Sequence, residues 1–101
     1  MRKITYNSRF ESEILGIVEF IARRDGFARA EKLYNEIYAK IAKIPYMPFA
    51  YRLDPMANDK NTRDLIYKGF VVPFYISSDK IEILGIYKAN LWSGGQNYDM
   101  P

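Results

Sequence analysis

"TRDLIYKGFVVPFYISSDKIEILGIYK", residues 62–88, decides the fold. It divides into three apolar runs rich in Val, Ile, Phe and Tyr. "TRDLIYK" covers 62–68, "FVVPFYIS" covers 70–77 and "KIEILGIYK" covers 80–88. Each has strand length and strand composition. Gly69 separates the first two runs and "SSD" the last two, so both links are hairpin-sized. The segment therefore predicts a three-stranded antiparallel meander. Pro73 strains the middle strand. It has no N–H, so it needs an edge, a bulge or a position whose donor would point away.

Upstream, the hydrophobic period changes from two to between three and four. From Arg9 to Arg24 the apolar positions are Phe10, Ile14, Ile17, Val18 and Ile21, one helical face. Asn7 or Ser8 can cap this helix, and Ser8 with Glu11 has capping-box spacing. Gly16 weakens the helix by propensity and could permit close packing. Gly26 is a C-terminal stop preceded by the basic pair Arg23 and Arg24, which suits a helix C-terminus. A second helix is expected from about Ala28 to Ile44. Its stripe is Ala30, Leu33, Tyr34, Ile37, Ile41 and Ile44, widened by Tyr38, and Pro45 ends it. The helical spacing places Tyr34, Tyr38 and Tyr46 in the core and its rim. "RKITYN" at the start reads as a short strand. "PYMPFAYRLDPMANDKN", 45–61, reads as a long irregular loop with its own aromatic residues.

The expected order is thus β-α-α-β-β-β, an α+β fold in which an α-helical hairpin packs on a small antiparallel sheet. The other sheet face would stay partly open beside the loop, a plausible binding surface. The chain reads as a single domain over residues 1–92 with a C-terminal tail, 93–101.

Composition narrows the chemistry. The 101 residues, 49% of them hydrophobic, suit one small core. There is no cysteine and no histidine. That removes disulfides, thiolate zinc sites, His-ligated metals and the usual general base near neutral pH. No metal and no small-molecule cofactor is expected. No apolar run approaches membrane-span length and no signal-peptide core is evident, so a cytoplasmic protein without a membrane partner is the default expectation. The net charge of +3 arises before Pro45: nine Lys/Arg face six acids up to Ile44, and six face six afterwards. A mild basic face can attract phosphate or an acidic partner, or can be ordinary solvated helix surface.

Three stretches taken in order resemble the RelE/ParE superfamily of toxins from bacterial type II toxin–antitoxin systems. They are "F-x-x-x-I-x-x-I-V-E-F-I-A" from Phe10, "AEKLYNEIYAKIAKIP" from Ala30, and the 62–88 segment, whose "R-x-L" is Arg63 to Leu65. The similarity runs from Ile4 to Trp92 as a diffuse pattern rather than one motif. It implies a toxin neutralised by a cognate antitoxin, as in plasmid stabilisation modules. RelE-like members cut messenger RNA on the ribosome, and ParE-like members inhibit DNA gyrase. Fold alone does not separate these activities.

For a ribonuclease, the residues that could serve catalysis without histidine are Arg52, Arg63, Lys68, Tyr87 and Lys88, with Tyr98 as a further donor. The chain departs from the RelE pattern, however. Val71 or Val72 stands where that branch carries an arginine, and Ala89 replaces the arginine that follows its lysine. The histidine that ends the last strand of the YoeB branch is missing. Losing one donor to a phosphorane costs roughly 3–4 kcal/mol. The residues therefore favour ParE-like inhibition, with Tyr87, Lys88, Leu91 and Trp92 as anchors for antitoxin or target. The ribosome-dependent nuclease is the alternative. A non-toxic nucleic-acid-binding or protein-interaction module is a third reading. Each polar candidate also has a structural role open to it. Arg52 can pair with Asp54, Arg63 with Asp64, and Lys88 with a nearby carboxylate, while Trp92 can pack on the core edge.

Overall fold

A computed structural model of the protein describes residues 1–89. The predicted anchors Leu91 and Trp92, the candidate donor Tyr98 and the 93–101 tail lie outside the described residues.

The chain begins with β1 (Lys3–Tyr6), continues through α1 (Ser8–Asp25) and α2 (Phe27–Ala42), and returns as β2 (Arg52–Leu53), β3 (Thr62–Tyr67), β4 (Phe70–Ile76), β5 (Lys80–Ile83) and β6 (Tyr87–Lys88). Asn7, not Ser8, caps α1: its side chain accepts the Arg9 N–H at 2.8 Å. Ser8 is already helical, so the Ser8–Glu11 capping box does not form. Asn7 also donates to Glu82 at 3.2 Å, and its own N–H reaches the Ile83 carbonyl, which fixes the entry of α1 to β5. Gly26, at φ 102°, is the single residue between the helices, a conformation that costs other residues a Cβ clash. The 45–61 stretch holds two short 3-10 turns and β2, so it is less irregular than its composition suggests.

The meander β3-β4-β5 is antiparallel as expected. The sheet as a whole is mixed, which corrects the all-antiparallel expectation. β1 pairs in parallel with β5, and the sheet order is β1-β5-β4-β3-β2. A parallel partner needs a long crossover, and the helical hairpin is part of that return. The β3–β4 link is a two-residue turn in which Lys68 (φ 51°) and Gly69 (φ 82°) are both left-handed, as a type I′ turn requires.

The last run of the sequence does not form one strand. β5 stops at Ile83 and β6 begins at Tyr87, with β4 the partner of both. The register across β4 shifts by one residue between the Phe74–Ile83 pair and the Val71–Tyr87 pair, which is a bulge. Pro73 lies opposite this bulge. Its carbonyl accepts the Leu84 N–H at 2.9 Å, so its missing N–H falls where the ladder is already broken.

Both helices pack on one sheet face. Phe10, Ile14, Ile37, Ile41, Ile44, Leu65, Phe70, Val72, Phe74, Ile76, Ile81, Ile83 and Ile86 form the buried core. Ile17, Val18, Leu33, Tyr34 and Tyr38 pack against it, as the stripes predict, whereas Tyr46 is 71% exposed and is not part of the rim. Tyr6, Phe10, Tyr34 and Tyr38 form an aromatic group with ring centroids 4.8–5.9 Å apart that ties β1 to both helices. Burial, then its tyrosine neighbours, pushes the Tyr38 hydroxyl up to about 12. No helix among the described residues is long and apolar enough to cross a membrane.

Candidate functional site

The break between β5 and β6 shapes the main surface feature. A bulge leaves backbone groups without ladder partners, and α1 supplies one. Glu13 Oε1 accepts the Ile86 N–H at 3.0 Å, while its Oε2 accepts from Arg9 Nε at 3.1 Å. A Cβ on Gly85 would lie 2.7 Å from Glu13 Oε1, so a side chain there would push the Glu13 carboxylate off this bond. With α1 held against the bulge, Tyr87 and Lys88 stand beside the helix.

Between them runs a trough of about 540 Å³, lined by Glu13, Gly16, Ile17, Phe20, Ile21, Arg24, Phe70, Ile86, Tyr87 and Lys88. Gly16 does not serve close packing: a Cβ there would meet nothing within 4 Å, because it faces open space. Phe20 is 57% and Tyr87 43% exposed. A mostly apolar trough with a glycine wall and open aromatic rings has the shape and chemistry of a surface for a partner segment. Sequence reasoning picked out Tyr87 and Lys88 here and missed Glu13, Gly16, Phe20 and Gly85. Phe20 carried a signal, being a large apolar residue off the helical stripe.

The second sheet face holds a different group. Residues opposite one another in the register share a face, and this places Arg52, Asp64, Pro73 and, toward β6, Val71 and Tyr87 together. The Asp64 side chain is fully buried. Its Oδ2 accepts from Arg52 Nε at 3.0 Å and lies 2.9 Å from the Arg52 terminal nitrogen. Its Oδ1 has no hydrogen-bond donor. Asp54 lies diagonally across the β2–β3 pair, and its Oδ1 accepts the Met56 and Ala57 N–H groups at 2.7 and 3.2 Å. Burial, then the neighbouring Asp54, pushes the Asp64 carboxyl up to about 6. Burial also works against the Asp54 carboxylate, but the bond with Asp64 and the two N–H groups outweigh it and hold that carboxyl below its usual range. Once protonated, on acidification through about pH 6, Asp64 can donate to the neighbouring Asp54 carboxylate. Burial, then the charges of Asp64 and Asp54, raises the Tyr87 hydroxyl.

The five residues considered for phosphodiester cleavage do not form one constellation. Arg52 pairs with Asp64 rather than Asp54. Arg63 pairs with no carboxylate among the described residues. It donates to the carbonyls of Phe49, Tyr51 and Lys60 at 2.9–3.1 Å and stacks on Phe49. Lys68, in the β3–β4 turn, bonds Glu36 at 3.1 Å. Lys88 meets no carboxylate among the described residues and sits 4.4 Å above the Phe70 ring. Lys68 and Lys88 line one hollow with Arg24 and other helix residues, and neither Arg52 nor Arg63 lines it. Val71 and Val72 are buried on β4.

A helical hairpin packed on one face of a mixed sheet, with β1 parallel to β5, is the architecture of the RelE/ParE class of toxin. The family model described as "ParE toxin of type II toxin-antitoxin system, parDE" matches residues 4–90. The chain therefore belongs to the ParE toxin family. A solved structure titled "Chromosomal ParDE TA system from P. aeruginosa" superposes with a TM-score of 0.77 at 17% identity, covering 89% of this chain and 98% of that one. At that identity the likeness shows the shared fold. No curated protein matches the sequence.

Proposed function

We propose that this chain acts by occupying a macromolecular target, with DNA gyrase the leading candidate, and that a cognate antitoxin neutralises it. One observation carries the reading. The arginines on the β2–β3 side of the sheet are already engaged by the protein itself, Arg52 by Asp64 and Arg63 by three backbone carbonyls. A phosphorane needs concentrated, available positive charge, and this face offers little. Inhibition by occupation needs shape and anchors instead, and the trough supplies both. Tyr87 and Lys88 form one wall of it, and Leu91 and Trp92 follow them in sequence. The antitoxin would lay an apolar segment along Ile17, Phe20 and Ile86 in this trough, burying the rings that are now open. A supercoiling assay with purified gyrase tests the reading. The expected result is inhibition that rises with toxin and is reversed by an equimolar co-produced antitoxin. Full supercoiling at saturating toxin would remove gyrase as the target.

A further inference from the structure

Five cationic side chains from four parts of the chain line one hollow of about 430 Å³. Arg24 comes from the end of α1, Arg29 and Lys32 from α2, Lys68 from the β3–β4 turn and Lys88 from β6. Asp25 and Glu36 are the only acids in its lining. Both are engaged: Asp25 with Arg24 at 2.9 Å, and Glu36 with Lys68 at 3.1 Å and the Tyr67 hydroxyl at 2.9 Å. No ion pair joins Arg29, Lys32 or Lys88 to a carboxylate among the described residues. Five cations against two acids leave three positive charges, as many as the formal net charge of the whole chain. The charge excess of this protein is therefore local, and the remainder of the chain balances.

Like charges gathered at one concavity repel and raise the local concentration of anions. The surroundings say which kind of anion fits. Phe20 lines the adjoining trough, which shares Arg24, Phe70 and Lys88 with this hollow; it is 57% exposed, and the Arg24 guanidinium lies 5.2 Å over its ring. Lys68 and Lys40 both lie over the Tyr67 ring, at 5.4 and 5.3 Å. A cationic hollow bordered by an exposed ring matches a single-stranded nucleic acid, in which backbone phosphates meet the charge and a base stacks with the ring and its arginine. A purely acidic segment such as polyglutamate would meet the charge but has no flat group to stack at Phe20.

We propose that this hollow is a binding site for the sugar–phosphate backbone of a single-stranded nucleic acid, with Phe20 at its edge as the stacking face. Of the residues considered for cleavage, only Lys68 and Lys88 line this hollow, so the proposed role is to hold a strand. The proposal stands independently of the protein target.

Fluorescence anisotropy with a labelled oligodeoxythymidylate of about twelve nucleotides tests it. Four to five contacted phosphates give an expected log–log salt slope of about −3. The R29E/K32E double variant should weaken binding at least tenfold and flatten that slope by about 1.4. K3E/K80E, the same charge change on β1 and β5, should weaken it less than threefold. F20A should weaken strand binding and leave binding of inorganic polyphosphate unchanged. Circular dichroism confirms that each variant is folded. Absence of strand binding, equal weakening by the two double variants, or displacement of the strand by polyglutamate at equal concentration would each overturn the proposal.

Discussion

Glu13 Oε1 accepts the Ile86 N–H at 3.0 Å, and this bond joins the first helix to the break in the last strand. It satisfies a donor that the bulge would otherwise leave unpaired, and it sets one end of the trough. Replacing Glu13 by alanine should destabilise the fold by about 1–3 kcal/mol, the cost of an unsatisfied buried donor. Glu13→Gln keeps an acceptor and should recover most of that loss. Urea denaturation of the three proteins measures both. Equal stabilities for all three would show that the bond does not hold the bulge.

Gly16 separates stability from docking. It is exposed in the middle of α1 and faces open space. Gly16→Ala should stabilise the protein by about 1 kcal/mol through helix propensity alone. Gly16→Trp should leave the fold intact and fill the trough, and antitoxin affinity measured by calorimetry should fall at least tenfold. Unchanged affinity for the tryptophan variant would move the antitoxin to another surface.

The buried carboxyl pair makes stability depend on pH in a stated direction. The folded Asp64 carboxyl titrates near 6, above its ordinary 3.8. Its contribution is therefore fully present below the ordinary value and is lost as pH rises through about 6. Asp54 is held low, so its contribution lies above its ordinary value and is lost on acidification. Between the two Asp64 values, stability should fall by up to about 1.4 kcal/mol per pH unit from this group. Asp64→Asn keeps an oxygen for Arg52, offers an amide donor to Asp54 and cannot titrate. Its thermal midpoint should show a flatter profile between the ordinary value of 3.8 and about pH 6. Parallel profiles for the two proteins would contradict the raised Asp64 carboxyl.

Arg52 is read as a partner of Asp64, not as a catalytic group. Arg52→Ala leaves one Asp64 oxygen without its donor. It should cost about 1–3 kcal/mol, limited because the carboxyl can take up a proton. Toxicity in cells should fall only as far as the folded fraction falls. A folded R52A protein with no activity would return Arg52 to the functional residues.

Much of this arrangement was legible in the residues. The stripes Phe10–Ile14–Ile17 and Ile37–Ile41–Ile44 gave the helices, because burial on one face imposes their spacing. The runs on either side of Gly69 gave the hairpin. The parallel pairing of β1 with β5 was not legible, because Ile4 and Ile81 meet only through the folded crossover. The bulge was hidden within an unbroken apolar run, although Gly85 and Pro73 each marked it. The expected Arg63–Asp64 pair failed for a geometric reason. Successive residues of a strand point to opposite faces, so Asp64 meets Arg52 across the β2–β3 pair while Arg63 turns to the loop carbonyls. Glu13 gave no local sign, since its partner lies 73 residues away.

We propose that this toxin binds its target without cutting RNA. Primer extension across messenger RNA on translating ribosomes, at saturating toxin, tests it most directly. No new RNA ends are expected. Codon-phased ends that vanish with Lys88→Ala would contradict it.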